Sequence, residues 1–313
     1  MKRRTFHSVA AGTLAEAVAK GIGCSLDDAR ALVERGAVYV RGRRQREVSR
    51  EIAAATPVLV VLEERGRASI EPPPAPAPLR ILYEDADLLA VDKPAGLAAQ
   101  PTPGGLGSLL LLASAHLGRD AGLVHRLDRD TSGVTVFGKS PTATSALAAS
   151  FRTGAVRKQY LAVTAPGLPA AGTCTLHLAR DRSRPGRWVA RARDGLEAET
   201  RFRLLGASDA LALAAVWPRT GRTHQIRAHL AALGAPIAGD RLYGGPPRLG
   251  DEPIGRSLLH AHVLVLPHPR SGATLRLIAP VPEDIAPWFA ALEVVAPEDA
   301  PELTAAGTAD RTR

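Results

Sequence analysis

The segment "GLVHRLDRDTSGVTVFGK", residues 122–139, carries a carboxylate with an arginine on either side, Asp128 between Arg126 and Arg129. An arginine within a few ångströms of an aspartate favours the ionised carboxylate, which suits nucleophilic or electrostatic catalysis. An Asp before a Thr-Ser-Gly turn also often does no more than hydrogen-bond the backbone. The segment by itself leaves both interpretations open.

Two downstream segments could supply partners for Asp128. The pattern "VRKQYLAVTAP" predicts a strand with Lys158 and Tyr160 on one face. The pattern "ALALAAVWPRTGRTHQIRAHLAALG" predicts a buried strand, a polar turn and a helix that Thr223 caps and Gly234 ends. This interpretation places Arg222 at a helix N-terminus, where anions are favoured.

Metal chemistry is a weaker interpretation of the same residues. Asp128 and Asp130 would share one face of an extended segment, which could serve a two-carboxylate glycosidase or a magnesium-dependent nuclease. His260 and His262 share a strand face but have no nearby cysteine or carboxylate pair. We therefore expect no metal site and no cofactor.

The N-terminal residues predict a small basic unit of two helices and a hairpin. Leu14, Val18 and Ile22 recur at helical spacing, and "CSLDDARALVERG" follows with Ser25 as its cap and a final glycine. A hairpin with a turn at Arg41-Gly42 and a strand at 57–62 come next. Four arginines lie in the hairpin and suit contact with phosphates, or else form a solvated edge: Arg41, Arg43, Arg44 and Arg46.

Composition restricts the class of partner. The 313 residues carry a formal charge of +9, and residues 1–50 hold 11 Lys or Arg against 5 Asp or Glu. A basic surplus concentrated in this way favours a polyanion such as nucleic acid. The two cysteines, Cys24 and Cys174, are far apart and read as reduced residues of a cytoplasmic protein. No secretory signal or membrane span is expected.

The chain is predicted to form a basic N-terminal unit over 1–65, a linker over 66–79, a second and larger domain over 80–295 and a disordered tail over 296–313. The linker contains "EPPPAPAP", which is typical of a semi-rigid extended segment. The tail is polar and rich in Pro and Ala. No exposed apolar stripe is evident from the sequence, and so we expect a monomer.

Two resemblances follow from these motifs. The series Ser25, Ala29, Leu32, Gly36, Val38, Val40, Gly42 resembles the small RNA-binding module named after ribosomal protein S-four. The segments "HRLDRDTSGVTVFGK", "KQYLAV", "GRTHQIRAHLAALGAPIAGDRLYG" and "LLHAHVLVLPHP", in that order, resemble the RluA-type pseudouridine synthases, which isomerise uridine in structured RNA. The second resemblance spans about residues 80–292 and opens at "ILYEDADLLAVDKPAGL".

The second resemblance implies a fold and roles. It implies an α+β protein: a mixed, mostly antiparallel sheet with flanking helices and a central cleft. Asp128 is similar to the family's catalytic aspartate, Tyr160 to the tyrosine that packs on the target base, and Arg222 to the basic partner of Asp128. Arg227 is the competing partner. Arg126 lies where the family has an arginine that assists opening of the RNA.

The expected activity is isomerisation of uridine to pseudouridine in ribosomal RNA, most naturally of the large subunit, or in transfer RNA. Besides Arg126, the predicted RNA contacts are Lys158, Arg227 and the four hairpin arginines. Two alternatives stay open: a non-catalytic RNA-binding or assembly factor on the same fold, and a metal-dependent nuclease. One departure is the loop "AAQPTPGGLGSLL", where the family commonly has a His-Pro-containing loop.

Overall fold

A computed structural model describes residues 2–34, 36–41, 43–62, 79–101, 107–298 and 301–303. The chain divides into an N-terminal unit that contains residues 2–62 and a second unit that contains 79–100 and everything described from 107 onward. Both units combine helices with mostly antiparallel strands, and the second has the predicted α+β class.

The N-terminal unit is built on a four-stranded antiparallel sheet with the order β1-β6-β3-β4. A second, two-stranded pair joins β2 to β5. Its elements are β1 (Lys2–His7), β2 (Gly12–Thr13), α1 (Leu14–Ile22), α2 (Leu26–Glu34), β3 (Val38–Val40), β4 (Arg43–Gln45), β5 (Glu51–Ile52) and β6 (Pro57–Leu62).

Local signals place the two helices of this unit. Thr13 and Glu16 form a capping box at the start of α1. At the start of α2, the Ser25 hydroxyl accepts a hydrogen bond from the Asp28 N–H at 3.1 Å. Leu14 and Val18 are fully buried in the core of the unit. The predicted helix–helix–hairpin order is confirmed, and strand β1 is an addition that the sequence analysis missed.

The second unit is built on a ten-stranded sheet with the order β12-β15-β16-β11-β19-β10-β8-β7, with β20 on β19 and β9 on β10. Among its ladders, the pairing of β10 with β19 is parallel, and the others are antiparallel. Two short hairpins, β13–β14 and β17–β18, lie outside this sheet.

Its first half comprises β7 (Arg80–Glu84), β8 (Leu88–Lys93), α3 (Leu109–Leu117), β9 (Gly122–Leu123), β10 (Ser132–Gly138), α4 (Pro141–Arg152), β11 (Arg157–Thr164), β12 (Ala171–Cys174), β13 (His177–Arg180) and β14 (Trp188–Arg191). Its second half comprises β15 (Thr200–Ala207), β16 (Ala212–Pro218), α5 (Gln225–Ala232), β17 (Arg248–Leu249), β18 (Glu252–Pro253), β19 (Leu259–Pro267), β20 (Thr274–Ile278), α6 (Ala286–Ala291) and a 3₁₀ turn (Pro301–Leu303).

The central strands β10 and β16 are buried along their whole length. Such strands read as continuous apolar runs because helices cover both faces of the sheet. Consecutive residues of β8 face opposite sides of the sheet: Leu89 packs with α3, and Ala90 packs with Leu147 of α4. The connecting loops therefore project from a sheet whose central strands are fixed by packing on both faces.

The predicted linker falls almost entirely on residues outside the described ranges. Of the predicted tail, the described part contradicts disorder: residues 301–303 form a 3₁₀ turn, and Leu303 is only 3% exposed. The Gln159 side-chain amide also donates to the Pro297 carbonyl. These residues are ordered because Leu303 packs on Trp217 and Val263 of the sheet. Across the described ranges, no helix has the length and apolar character needed to cross a bilayer.

Candidate active site

A cleft of about 600 Å³ opens beside strands β10 and β11 of the second unit. This volume lies within the usual range for ligand sites. The loop before β10 supplies Asp128, β11 supplies Lys158 and Tyr160, and the turn before α5 supplies a cluster of polar side chains. Six Lys or Arg side chains line it: Arg126, Arg152, Lys158, Arg219, Arg222 and Arg227.

The Asp128 turn is fixed by close backbone packing. The Thr131 N–H donates to the Asp128 carbonyl at 3.2 Å, and strand β10 starts at the next residue. Gly133 has φ +114°, and a Cβ there would lie 2.2 Å from the Ala261 carbonyl oxygen of β19. The glycine of the Thr-Ser-Gly motif is therefore required by the parallel contact of β10 with β19.

Two buried cations hold the same turn through main-chain carbonyls. The Lys93 ammonium donates to the carbonyls of Pro94, Leu97 and Arg129 at 2.9, 2.7 and 2.9 Å. Burial lowers the pKa of Lys93 to about 8. Arg256 donates to the Asp130 carbonyl at 3.1 Å. The position of Asp128 thus depends on residues far away in sequence.

Asp128 is paired with Arg227. The Arg227 guanidinium donates to Asp128 Oδ2 at 3.0 Å, and it donates twice to Asp240, at 2.6 and 2.9 Å. The Asp240 side chain is 1% exposed and that of Asp128 is 30% exposed. The pKa of Arg227 is raised: burial opposes its charge, but the hydrogen bonds and charge of Asp240, then of Asp128, outweigh that cost. One face of the guanidinium also lies on the Tyr243 ring, 5.0 Å from its centroid.

The predicted pairing of Arg222 with Asp128 is wrong, because the side chain that pairs with Asp128 in this structure is Arg227. The Arg222 Nε–H donates to the Glu197 carbonyl at 3.0 Å, and the side chain lies on the cleft wall. The reason is the start of α5, which comes at Gln225 rather than at the predicted cap Thr223. Arg222 therefore belongs to the preceding turn, whereas Arg227 faces Asp128 from the first turn of the helix.

The turn before α5 is stabilised from within by Gln225. Its side-chain oxygen accepts from the Arg222 N–H at 3.0 Å and from the Thr220 hydroxyl at 2.6 Å. The predicted cap Thr223 is replaced at the N-cap position by His224, in the left-handed region with φ 56° and without a side-chain capping bond. A left-handed non-glycine residue stores strain, and such residues concentrate at functional sites.

Tyr160 and Lys158 both line the cleft, as their alternation on β11 predicts. Burial, with a smaller effect from the Asp128 charge, raises the pKa of Tyr160 above its ordinary value, and the phenol is neutral. The Lys158 ammonium donates to the Thr220 carbonyl at 3.0 Å, and burial lowers its pKa to about 8. A neutral aromatic beside a carboxylate suits a flat, uncharged base.

The remaining predicted RNA contacts differ in their surroundings. Arg126 is exposed at the cleft and its guanidinium lies 3.4 Å from the Thr223 hydroxyl. In the N-terminal unit, Arg41 has φ 48° at the hairpin turn, and both Arg41 and Arg46 are exposed. Arg43 and Arg44 lie in β4, and their side chains are outside the described part.

The two-carboxylate alternative finds no support in the geometry of the turn. Asp130 is exposed and does not line the cleft, whereas Asp128 does. His260 and His262 share a strand face as predicted, but both rings bond to the Ala279 carbonyl, at 3.3 and 2.7 Å. These two histidines are part of the packed interior.

Four residues at the site were missed by the sequence analysis: Lys93, His224, Asp240 and Tyr243. Lys93 comes two positions after the apolar run "LLAV", and no local signal marks it as buried, because lysine is seldom fully buried. The pair Asp240 and Tyr243 stands in "GDRLYGG", a glycine-bounded turn whose polar residues have no local use. Such a turn commonly contributes to a site on a neighbouring element.

Comparison with known proteins identifies the class. Residues 87–232, which include the Asp128 turn, β11 and all of α5, match the family model described as RNA pseudouridylate synthase. The fold agrees: human RNA pseudouridylate synthase domain containing 4 aligns with a TM-score of 0.57 at 28% identity, over 70% of this chain and 94% of that one. Human RNA pseudouridylate synthase domain containing 1 gives 0.55 at 25% identity, over 64% and 83%.

The similarity extends to curated bacterial proteins. The chain is 40% identical to ribosomal large subunit pseudouridine synthase D of Xanthomonas campestris, over 75% of this chain and 74% of that one. The corresponding protein of Xylella fastidiosa is 40% identical over 70% and 71%. The chain therefore belongs to the RluA-type RNA pseudouridine synthases and is an RNA-modifying isomerase, as its motifs predicted.

Proposed function

We propose that this enzyme isomerises uridines of large-subunit ribosomal RNA and that Asp128 is its nucleophile. The choice of RNA is supported by the relatives from three bacteria that carry the name ribosomal large subunit pseudouridine synthase D. Transfer RNA is the alternative substrate. A ribosomal substrate implies action in the cytoplasm, and we expect a monomer because no exposed apolar stripe is evident from the sequence.

The observation that carries the proposal is the state of the Asp128 carboxylate. It is partly exposed in a cleft whose other charged lining side chains are cations, and Oδ2 accepts the Arg227 hydrogen bond. Within the described residues Oδ1 accepts no hydrogen bond, so this oxygen is available to a substrate. Asp240 differs, because its buried side chain has both oxygens bonded to Arg227.

The reaction needs little beyond a nucleophile and a pocket. The bond between the ribose anomeric carbon and N1 of the base breaks, and a new bond forms from the same carbon to C5. The C5 proton is lost and N1 gains one, so no oxidant, reductant or hydrolytic water is consumed. Asp128 would start this sequence by attack at the base C6 or at the anomeric carbon, and then leave.

The base must first leave its stack, which costs a few kcal/mol. A stacked aromatic recovers about 1–3 kcal/mol per base, and Tyr160 lines the same cleft as Asp128. Arg126 would assist opening of the RNA. Lys158, Arg222 and the other cleft cations would contact phosphates. The hairpin arginines of the N-terminal unit would add sequence-independent affinity.

The test is pseudouridine mapping on a defined RNA. A large-subunit ribosomal RNA transcript is treated with wild-type enzyme or with Asp128→Asn, and carbodiimide-based mapping locates the product. We expect one or a few sites with wild type and none with Asp128→Asn, at unchanged RNA length. Sites on transfer RNA alone would overturn the choice of RNA, and an active Asp128→Asn would overturn the nucleophile.

A further inference from the structure

The geometry points to His224 as a positioning residue for Asp128, acting as a neutral imidazole whose Nε2–H faces Oδ2. This inference rests on the proposed role of Asp128 as the nucleophile. His224 Nε2 lies 3.7 Å from Asp128 Oδ2, the same oxygen that accepts from Arg227. Two donors directed at one carboxylate oxygen leave the other, Oδ1, as the attacking atom.

The tautomer follows from the hydrogen bonds of Tyr243. The Tyr243 hydroxyl accepts from the Trp188 N–H at 2.9 Å and lies 3.1 Å from His224 Nδ1. If Nδ1 carried the ring proton, the buried hydroxyl would have no acceptor for its own proton in the described part of the chain. Donation from the hydroxyl to Nδ1 satisfies both groups, and the proton of the neutral ring then resides on Nε2.

The surroundings keep the ring neutral and in place. The side chain is 16% exposed, and burial is the main cause of a lowered His224 pKa, opposed by the charge of Asp128. The other charged groups that act on it are Arg227, Asp240 and Arg126. The ring meets the Tyr243 ring edge to face at 5.7 Å, which sets its plane.

The backbone supports a functional reason for this residue. An N-cap position favours Ser, Thr, Asp or Asn with extended dihedrals, but here a histidine adopts φ 56° and ψ 20° with no capping bond. Asn or Gly would adopt this conformation with less strain. The chain thus places an imidazole where local preferences oppose it, next to the carboxylate that acts on substrate.

The experiment compares His224→Gln, His224→Asn and His224→Gly in the full-length enzyme. A glutamine amide reaches the position of Nε2, and we expect kcat within about threefold of wild type. The Asn and Gly variants lack a donor at that distance, so we expect kcat to fall about 10- to 100-fold with KM unchanged and with Tm equal or higher. Glu293→Gly, at φ 54° and far from the cleft in sequence, is the matched control for relief of strain.

A double-mutant cycle tests the tautomer argument separately, through a substitution of Tyr243. Tyr243→Phe removes the hydroxyl and keeps the ring, and we expect kcat to fall severalfold because His224 is no longer held in one tautomer. Combined with His224→Asn, the second change should add nothing, since both act through one group. Additive losses, a Gln variant as slow as Asn, or an Asn variant within threefold of wild type would overturn the inference. An active Asp128→Asn would instead overturn the proposed function.

Discussion

The cleft and the N-terminal unit are both rich in cations but hold them differently. In the cleft region, Lys93, Lys158 and Arg227 each donate to carbonyls or carboxylates over distances of 2.6–3.0 Å. In the N-terminal unit, Arg41 and Arg46 project from an exposed hairpin. Fixed charges suit a reaction with one geometry, whereas exposed ones suit contact with many phosphates. The difference separates residues that should affect kcat from residues that should affect binding.

Among substitutions of these cations, the largest effect should come from Arg227→Lys, compared with Arg222→Lys. A lysine cannot bond Asp240 twice and Asp128 at the same time, and misplacement of a catalytic group by an ångström can cost about 10²-fold in rate. We expect kcat to fall by about that factor for Arg227→Lys, while Arg222→Lys stays within a few-fold. Single-turnover kinetics on one RNA measures both.

Equal losses in the two variants would show that the Arg222 side chain leaves the Glu197 carbonyl and reaches Asp128 during the reaction. A larger loss for Arg222→Lys would contradict the pairing seen here. Circular dichroism spectra and Tm values of both variants serve as the control for folding.

A smaller effect concerns stability at alkaline pH. Lys93 and Lys158 have pKa values lowered to about 8 in the folded chain, against an ordinary value of 10.5. Between these values the unfolded chain binds more protons, so the free energy of unfolding should rise with pH, by roughly 1.4 kcal/mol per unit for each such group. The folded state bears the cost of the charged ammonium groups below about pH 8.

Lys158→Met should remove part of that slope, and the exposed Lys20→Met should not. Urea unfolding at pH 7.5, 8.5 and 9.5 gives the slope for all three proteins. Identical slopes for wild type and Lys158→Met would mean that the Lys158 ammonium is as well solvated as in the unfolded chain.

The smallest effect is expected in the N-terminal unit. Arg41→Ala combined with Arg46→Ala should raise KM a few-fold and leave kcat unchanged. Each lost phosphate contact should also reduce the slope of log affinity against log salt by about 1. Filter binding across a salt series measures the slope, and a fall in kcat with an unchanged slope would contradict the proposed division of labour.

The sequence predicted the elements better than the pairings. Helices α1 and α2 and strand β11 lie where capping and periodicity placed them. Asp128, Lys158 and Tyr160 converge on one cleft as expected. The resemblance of the N-terminal unit to the S-four-type module, and the RNA contacts of its arginines, stay predictions.

The local sequence pattern could not decide whether Arg222 or Arg227 pairs with Asp128. The first turn of α5 is set by Gln225, whose side chain reaches Thr200 and the Glu199 carbonyl on a distant strand. Asp240 was equally hidden, because its partner Arg227 stands 13 positions earlier in the chain. Short-range periodicity carries no information about such contacts, which are created only when the sheet assembles.

Lys93 has one more implication, for how this family can diverge. Its ammonium donates to three main-chain carbonyl oxygens, those of Pro94, Leu97 and Arg129, and to none of the side chains of these residues. Side chains in much of the loop that follows Pro94 can therefore change while these main-chain contacts still hold the turn that presents Asp128. The unusual "AAQPTPGGLGSLL" segment illustrates that freedom. Lys93 thus holds the Asp128 turn through main-chain contacts alone.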